Sequence, residues 1–63
     1  MFEKIIYIVG RLDGDYAYLN KLQDDGMTID ASVEEKCVAR ALLPAEIAEG
    51  TKLAYEMLEY SIV

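Results

Sequence analysis

Histidine and tryptophan are absent from this 63-residue chain, and cysteine and proline each occur once. Each absence closes a route. Without histidine there is no imidazole for acid–base work near neutral pH, nor for an ordinary structural zinc site, and the lone thiol, Cys37, forms no internal disulfide. Cys37 is also a poor nucleophile: Glu34 and Glu35 beside it oppose a thiolate, and its expected place is a small buried apolar position. The longest apolar run, Ile5-Ile6-Tyr7-Ile8-Val9, is too short to span a bilayer as a helix. Met1-Phe2-Glu3-Lys4 has neither the basic region nor the cleavage site of a secretory leader, so a cytoplasmic protein is expected. Cations are scarce as well. Six Lys and Arg stand against 12 Asp and Glu, a net charge of -6, and such a chain repels the phosphate backbone that supplies most nucleic-acid affinity.

What the chain does have is a hydrophobic content of 54% and five tyrosines. A single small β domain over residues 1–63 is expected, too small to hold more than one core and in need of either a closed fold or burial against another chain. Residues 3–12 are rich in β-branched and aromatic side chains. Residues 15–22 alternate, with Tyr16 and Tyr18 on one face and Ala17 and Leu19 on the other. Asp13-Gly14 between them predicts a tight hairpin of type I′, and Gly10 predicts a bulge or a close approach of another backbone. Asp24-Asp25-Gly26 predicts a second turn with Gly26 in the left-handed region.

The second half is more ambiguous. Met27-Thr28-Ile29 reads as a short strand, Asp30-Ala31-Ser32 as a turn and Val33 to Ala41 as a further strand, with a helix capped by Ser32 as the competing reading. Pro44 and Gly50 bracket a predicted helical turn near Pro44-Glu49, anchored by Leu42, Leu43 and Ile47. Residues 51–63 fit one long strand by their alternation, and equally a helix by the spacing of Leu53, Met57 and Tyr60. The expected fold is therefore all-β, a small five-stranded barrel or strongly curved antiparallel sheet of the SH3-like or OB-like kind with one helical turn. Closure would protect the aggregation-prone run at Ile5 to Val9.

No catalytic, cofactor or metal residues emerge. The aspartates lack the alternate spacing of a calcium loop and read as turn formers. The pairs Glu34-Glu35 and Asp24-Asp25 would need a substrate cleft that so small a domain scarcely offers. Arg11 and Arg40 are candidates to pair with Asp13, Asp15 or Glu49, although surface ion pairs stabilise little. The tyrosines carry more information, because five cannot all enter a small core, and tyrosine supplies interface area at low entropy cost. Tyr16, Tyr18 and Tyr55 are the candidate interaction surface.

The order Ile8-Val9-Gly10-Arg11-Leu12-Asp13-Gly14-Asp15-Tyr16-Ala17, then Ala39-Arg40-Ala41-Leu42-Leu43-Pro44, then Ala48-Glu49-Gly50-Thr51-Lys52-Leu53, resembles the small bacterial family catalogued as domain of unknown function three thousand and six. The likeness runs over roughly residues 5 to 55 and is carried largely by turn chemistry. It implies a small, mostly β bacterial module with no assigned activity and no defined ligand residues. Residues and resemblance together lead to an expected non-enzymatic module that binds a protein partner or itself, with no cofactor, no small-molecule ligand and no membrane. An oligonucleotide-binding barrel, using tyrosines to stack bases, is the alternative.

Overall fold

A computed structural model describes residues 4–63, and Glu3, the first residue of the expected opening strand, lies outside them. Five antiparallel strands form one curled, half-barrel sheet in the order β3-β2-β1-β4-β5: β1 (Ile5–Asp13), β2 (Tyr16–Lys21), β3 (Lys36–Ala39), β4 (Lys52–Glu56) and β5 (Glu59–Ile62). A right-handed twist of about 20–25° per neighbouring pair accumulates to roughly 90° across such a sheet and brings its two outer strands round toward one another. No hydrogen-bonded ladder joins β3 to β5, so the curved sheet stays open along that seam. The apolar run in β1 is nevertheless protected, because β1 is the central strand and pairs with β2 on one side and β4 on the other. No helix among the described residues is long and apolar enough to cross a membrane.

The period-2 pattern sorts the side chains. Tyr7 and Val9 of β1, Ala17 and Leu19 of β2, Val38 of β3 and Leu53 of β4 fill the concave face, where Leu43 and Ile47 close over them. Gly10 is the expected bulge. The register slips between Val9 and Arg11, which turns Arg11 outward and lets Leu12 pack against the core. A Cβ on Gly10 would stand 2.8 Å from the side-chain Oδ1 of Asn20 and 3.5 Å from the Tyr18 carbonyl, so the crowding neighbour is a side chain and not another backbone.

Several expectations are corrected. The first hairpin turns on Gly14-Asp15, with Asp13 paired to Tyr16, one residue later than predicted. Only Gly14 has positive φ (58°), the pattern of a II′ turn led by glycine and not of I′. Gly26, by contrast, takes the left-handed φ expected of it, 68°. Met27-Thr28-Ile29 is no strand and contributes a single bridge, Leu22 to Ile29. The reason is Asp25, whose Oδ1 accepts the backbone N–H groups of Met27 (2.8 Å) and Thr28 (2.9 Å) and so withdraws them from any ladder.

The strand reading of residues 33–41 prevails over the helix, but β3 is shorter than expected. Its start is lost to the Asp30–Val33 turn, and its end to a 3-10 turn at Arg40–Leu42. The predicted helical turn at Pro44–Glu49 is thus displaced. Leu43, forced extended by the proline after it (φ -118°, ψ 158°), ends the 3-10 segment before Pro44, and Pro44 to Ile47 makes only a turn. Leu43 and Ile47 are buried as expected; Leu42 is 68% exposed. Residues 51–63 are neither one strand nor a helix but a hairpin of β4 and β5, reversing at Met57-Leu58.

Candidate functional site: the seam between β3 and the β4–β5 hairpin

The open seam of the half-barrel forms a cleft of about 370 Å³, walled on one side by all four residues of β3 and on the other by Tyr55, Leu58 and Tyr60, with Leu42 at its edge. Its surroundings are apolar and aromatic. Leu42 and Leu58 are exposed, at 68% and 86%. Glu34 and Glu35 precede β3, Glu56 and Glu59 face each other across the last hairpin on the side opposite to Tyr55 and Tyr60, and the charged side chain that lines the cleft is Lys36. A hollow of similar size at Lys4, Lys21 and Asp24 lies where β1 and β2 are already paired and is walled mainly by polar groups.

Backbone direction follows from the ladder. Arg40 N–H donates to the Asp15 carbonyl at 2.8 Å, which makes Arg40–Asp15 a hydrogen-bonded pair. Such pairs alternate along an antiparallel ladder, so Val38 and Lys36 point their backbone groups at β2, and Cys37 and Ala39 point theirs away from the sheet. By the same alternation from the Val63 N–H to Lys52 carbonyl bond (3.1 Å), Tyr60 and Ile62 present free backbone groups on the outer edge of β5.

Lys36 occupies the aromatic end of this seam. It shares the concave face with Val38, and its ammonium lies 5.5, 5.1 and 5.6 Å from the ring centroids of Tyr7, Tyr55 and Tyr60. Three ring faces attract one cation here. The polar contact with the Tyr60 hydroxyl, ahead of a smaller opposing desolvation, holds Lys36 protonated above the ordinary lysine range. Tyr55 and Tyr60 are a cross-strand pair with centroids 4.6 Å apart, and Tyr7 lies 6.2 Å from Tyr60.

The three tyrosines expected to form one surface are divided. Tyr16, 52% exposed, and Tyr18 lie on the convex face of β2, and Tyr55 lies on the concave face against the core. The Arg11 guanidinium stacks over the Tyr18 ring at 4.0 Å, in preference to the carboxylate partners foreseen for it. Cys37 is exposed, not buried, because it alternates with Val38 and so falls on the convex face beside Tyr18. Charge on the Cys37 sulfur, with partial burial second, raises the Tyr18 phenol above its ordinary value. Two aspartates act as turn formers: Asp25 also accepts the Thr28 hydroxyl at 2.7 Å, and Asp30 accepts the Ser32 N–H and hydroxyl at 3.0 and 2.6 Å. Sequence reasoning missed Lys36, Leu42, Leu58 and Tyr60; the parity of Lys36 with Val38 was the available signal for the first. No protein-family model, curated protein or solved structure matches this chain.

Proposed function

We propose that the chain is a non-enzymatic, cytoplasmic protein-interaction module that engages its partner in the seam between β3 and the β4–β5 hairpin. The observation that carries this reading is an apolar cleft bordered by unpaired strand edges and by the exposed Leu42 and Leu58. Exposed apolar side chains gathered around a concave wall are the usual mark of a docking surface. The resemblance to a family without assigned activity brings no chemistry that competes with it. Tyr16 and Tyr18 are a poorer site, and for oligonucleotides especially, since the cation stacked there, Arg11, is outnumbered by Asp13 and Asp15 of the adjoining turn.

The test is a pair of double variants in a partner-capture assay. Leu42→Asp with Leu58→Asp should abolish capture and leave the melting temperature within a few degrees, both residues being exposed. Tyr16→Ser with Tyr18→Ser should leave capture intact. The opposite pattern moves the site to the convex face, and binding of single-stranded RNA or DNA at low salt restores the oligonucleotide reading.

A further inference from the structure

We infer that the occupant of the seam is an extended, lysine- or arginine-bearing segment of a partner protein that adds to β3 as a sixth strand. The inference rests on the seam being the docking site and specifies what enters it. All four residues of β3 line the cleft, and the N–H and C=O of Cys37 and the N–H of Ala39 face away from β2 into it, the Ala39 C=O serving as N-cap acceptor of the 3-10 turn. A free edge of this kind is a template for an incoming strand, which takes affinity from main-chain bonds and selectivity from alternate side chains. Every second side chain of that segment would meet the apolar wall of Leu42, Leu58 and Tyr60.

Charge selects the occupant. Glu34 and Glu35 precede the edge, Glu56 and Glu59 adjoin Tyr55 and Tyr60 but alternate to the other face, and Lys36, the charged side chain of the lining, is already drawn into its three tyrosine rings. The net charge of -6 carried by the chain therefore favours a cationic segment. A second copy of the chain, itself at -6, meets like-charge repulsion instead.

The geometry also supplies a clean disruption. Ala39 has φ -64° and ψ 132°, already the angle that proline imposes, and its N–H takes no part in the β2 ladder. Ala39→Pro should thus fold normally while removing one donor from the free edge.

The experiment follows amide exchange and chemical shifts during titration with an acetylated, amidated heptapeptide alternating lysine and valine. Two comparison peptides are its glutamate–valine counterpart and a lysine–valine version N-methylated at alternate backbone nitrogens. Expected are a tenfold or greater slowing of exchange at the Cys37 and Ala39 amides, and binding at least tenfold weaker for both comparison peptides and for Ala39→Pro, whose melting temperature is unchanged. Shifts at Leu42, Leu58 and Tyr60 without protection of those amides, or equal binding by Ala39→Pro, overturn strand addition and leave the seam as the docking site. Equal binding of the glutamate peptide overturns the cationic occupant. Sedimentation as a dimer without peptide, with Cys37 and Ala39 protected, assigns the edge to a second copy and overturns it too. No response anywhere in the seam removes this inference and the docking site together.

Discussion

The β1–β2 and β4–β5 hairpins have the same two-residue reversal and opposite physical support. In the first, glycine supplies the positive φ at Gly14, and the strands deliver Val9, Ala17 and Leu19 into the core at no more than 1% exposure. In the second, Met57 and Leu58 themselves hold φ of 52° and 65°, a left-handed conformation that costs a side-chain-bearing residue about 1 kcal/mol or more. Directly behind that turn, Glu56 opposes Glu59, a like-charge pair that weakens the ladder. The core contribution is lopsided as well: Leu53 and Ala54 of β4 are buried, and β5 buries nothing. One hairpin is therefore fixed by its own sequence and the other is held by its neighbours, chiefly through the Tyr7–Tyr60 contact and Lys36. The less supported hairpin is the one that forms a wall of the seam, the face proposed above to bind.

The sharpest way to break the contrast is truncation on each side. Leu19→Ala should cost about 2–5 kcal/mol, enough to unfold much of so small a domain, and Ile62→Ala under about 1 kcal/mol, because Ile62 is already 46% exposed. Denaturant titration of the two variants measures both, and equal losses would dismiss the asymmetry. Next in size is repair of the turn. Met57→Asn combined with Leu58→Gly gives the weak hairpin the residues a turn with two positive φ angles prefers, and should raise stability by about 1–2 kcal/mol in the same titration. The reverse substitution, Gly14→Val, should destabilise the strong hairpin, since φ there is 58°.

These differences explain what was legible in the sequence. The all-β class, the bulge at Gly10, the left-handed Gly26 and the partition of Tyr16 and Tyr18 from Ala17 and Leu19 could all be read, because each depends on local alternation or on a residue with special backbone freedom. The last hairpin could not, since its turn carries no glycine, asparagine or aspartate. A different signal was present: Tyr55-Glu56-Met57-Leu58-Glu59-Tyr60 is mirror-symmetric about Met57-Leu58, as a two-residue reversal pairing Tyr55 with Tyr60 requires. The site was less legible than the fold. Placing Tyr55 apart from Tyr16 and Tyr18 needs the register across several strands, and Cys37 changes from buried to exposed with a single step of parity along β3.

Lys36 is the point at which the two outer strands communicate, so its removal tests how far the weak hairpin depends on the rest. Lys36→Met keeps the apolar stem and deletes the charge above Tyr7, Tyr55 and Tyr60. At so exposed a position the loss should be about 0.5–1 kcal/mol, with faster amide exchange in β5 than in β2, and Lys36→Arg should restore most of it. Because its folded pKa is raised, the contribution is complete below the ordinary value of 10.5 and disappears as pH rises through the folded one.

Asp25 gives the smallest effect and the opposite sign. The Thr28 N–H, then the Met27 N–H and the Thr28 hydroxyl, hydrogen-bond its carboxylate and lower its pKa from 3.8 to about 2, with a last, minor contribution from Lys52. A depressed carboxyl stabilises the fold above its unfolded value and loses that contribution as pH falls through the folded one. Thermal melts from about pH 5 downward should therefore show a decline in wild type that sets in below 3.8 and continues toward 2. Asp25→Asn, which keeps an acceptor but cannot titrate, should flatten that part of the profile, and Asp25→Ala should be less stable at every pH. The loop after β2 is held by side-chain hydrogen bonds that acid removes; the Met57-Leu58 turn has none, so it should respond to glycine and not to this protonation. A wild-type profile unchanged by Asp25→Asn would place the acid sensitivity elsewhere and leave the loop without its staple.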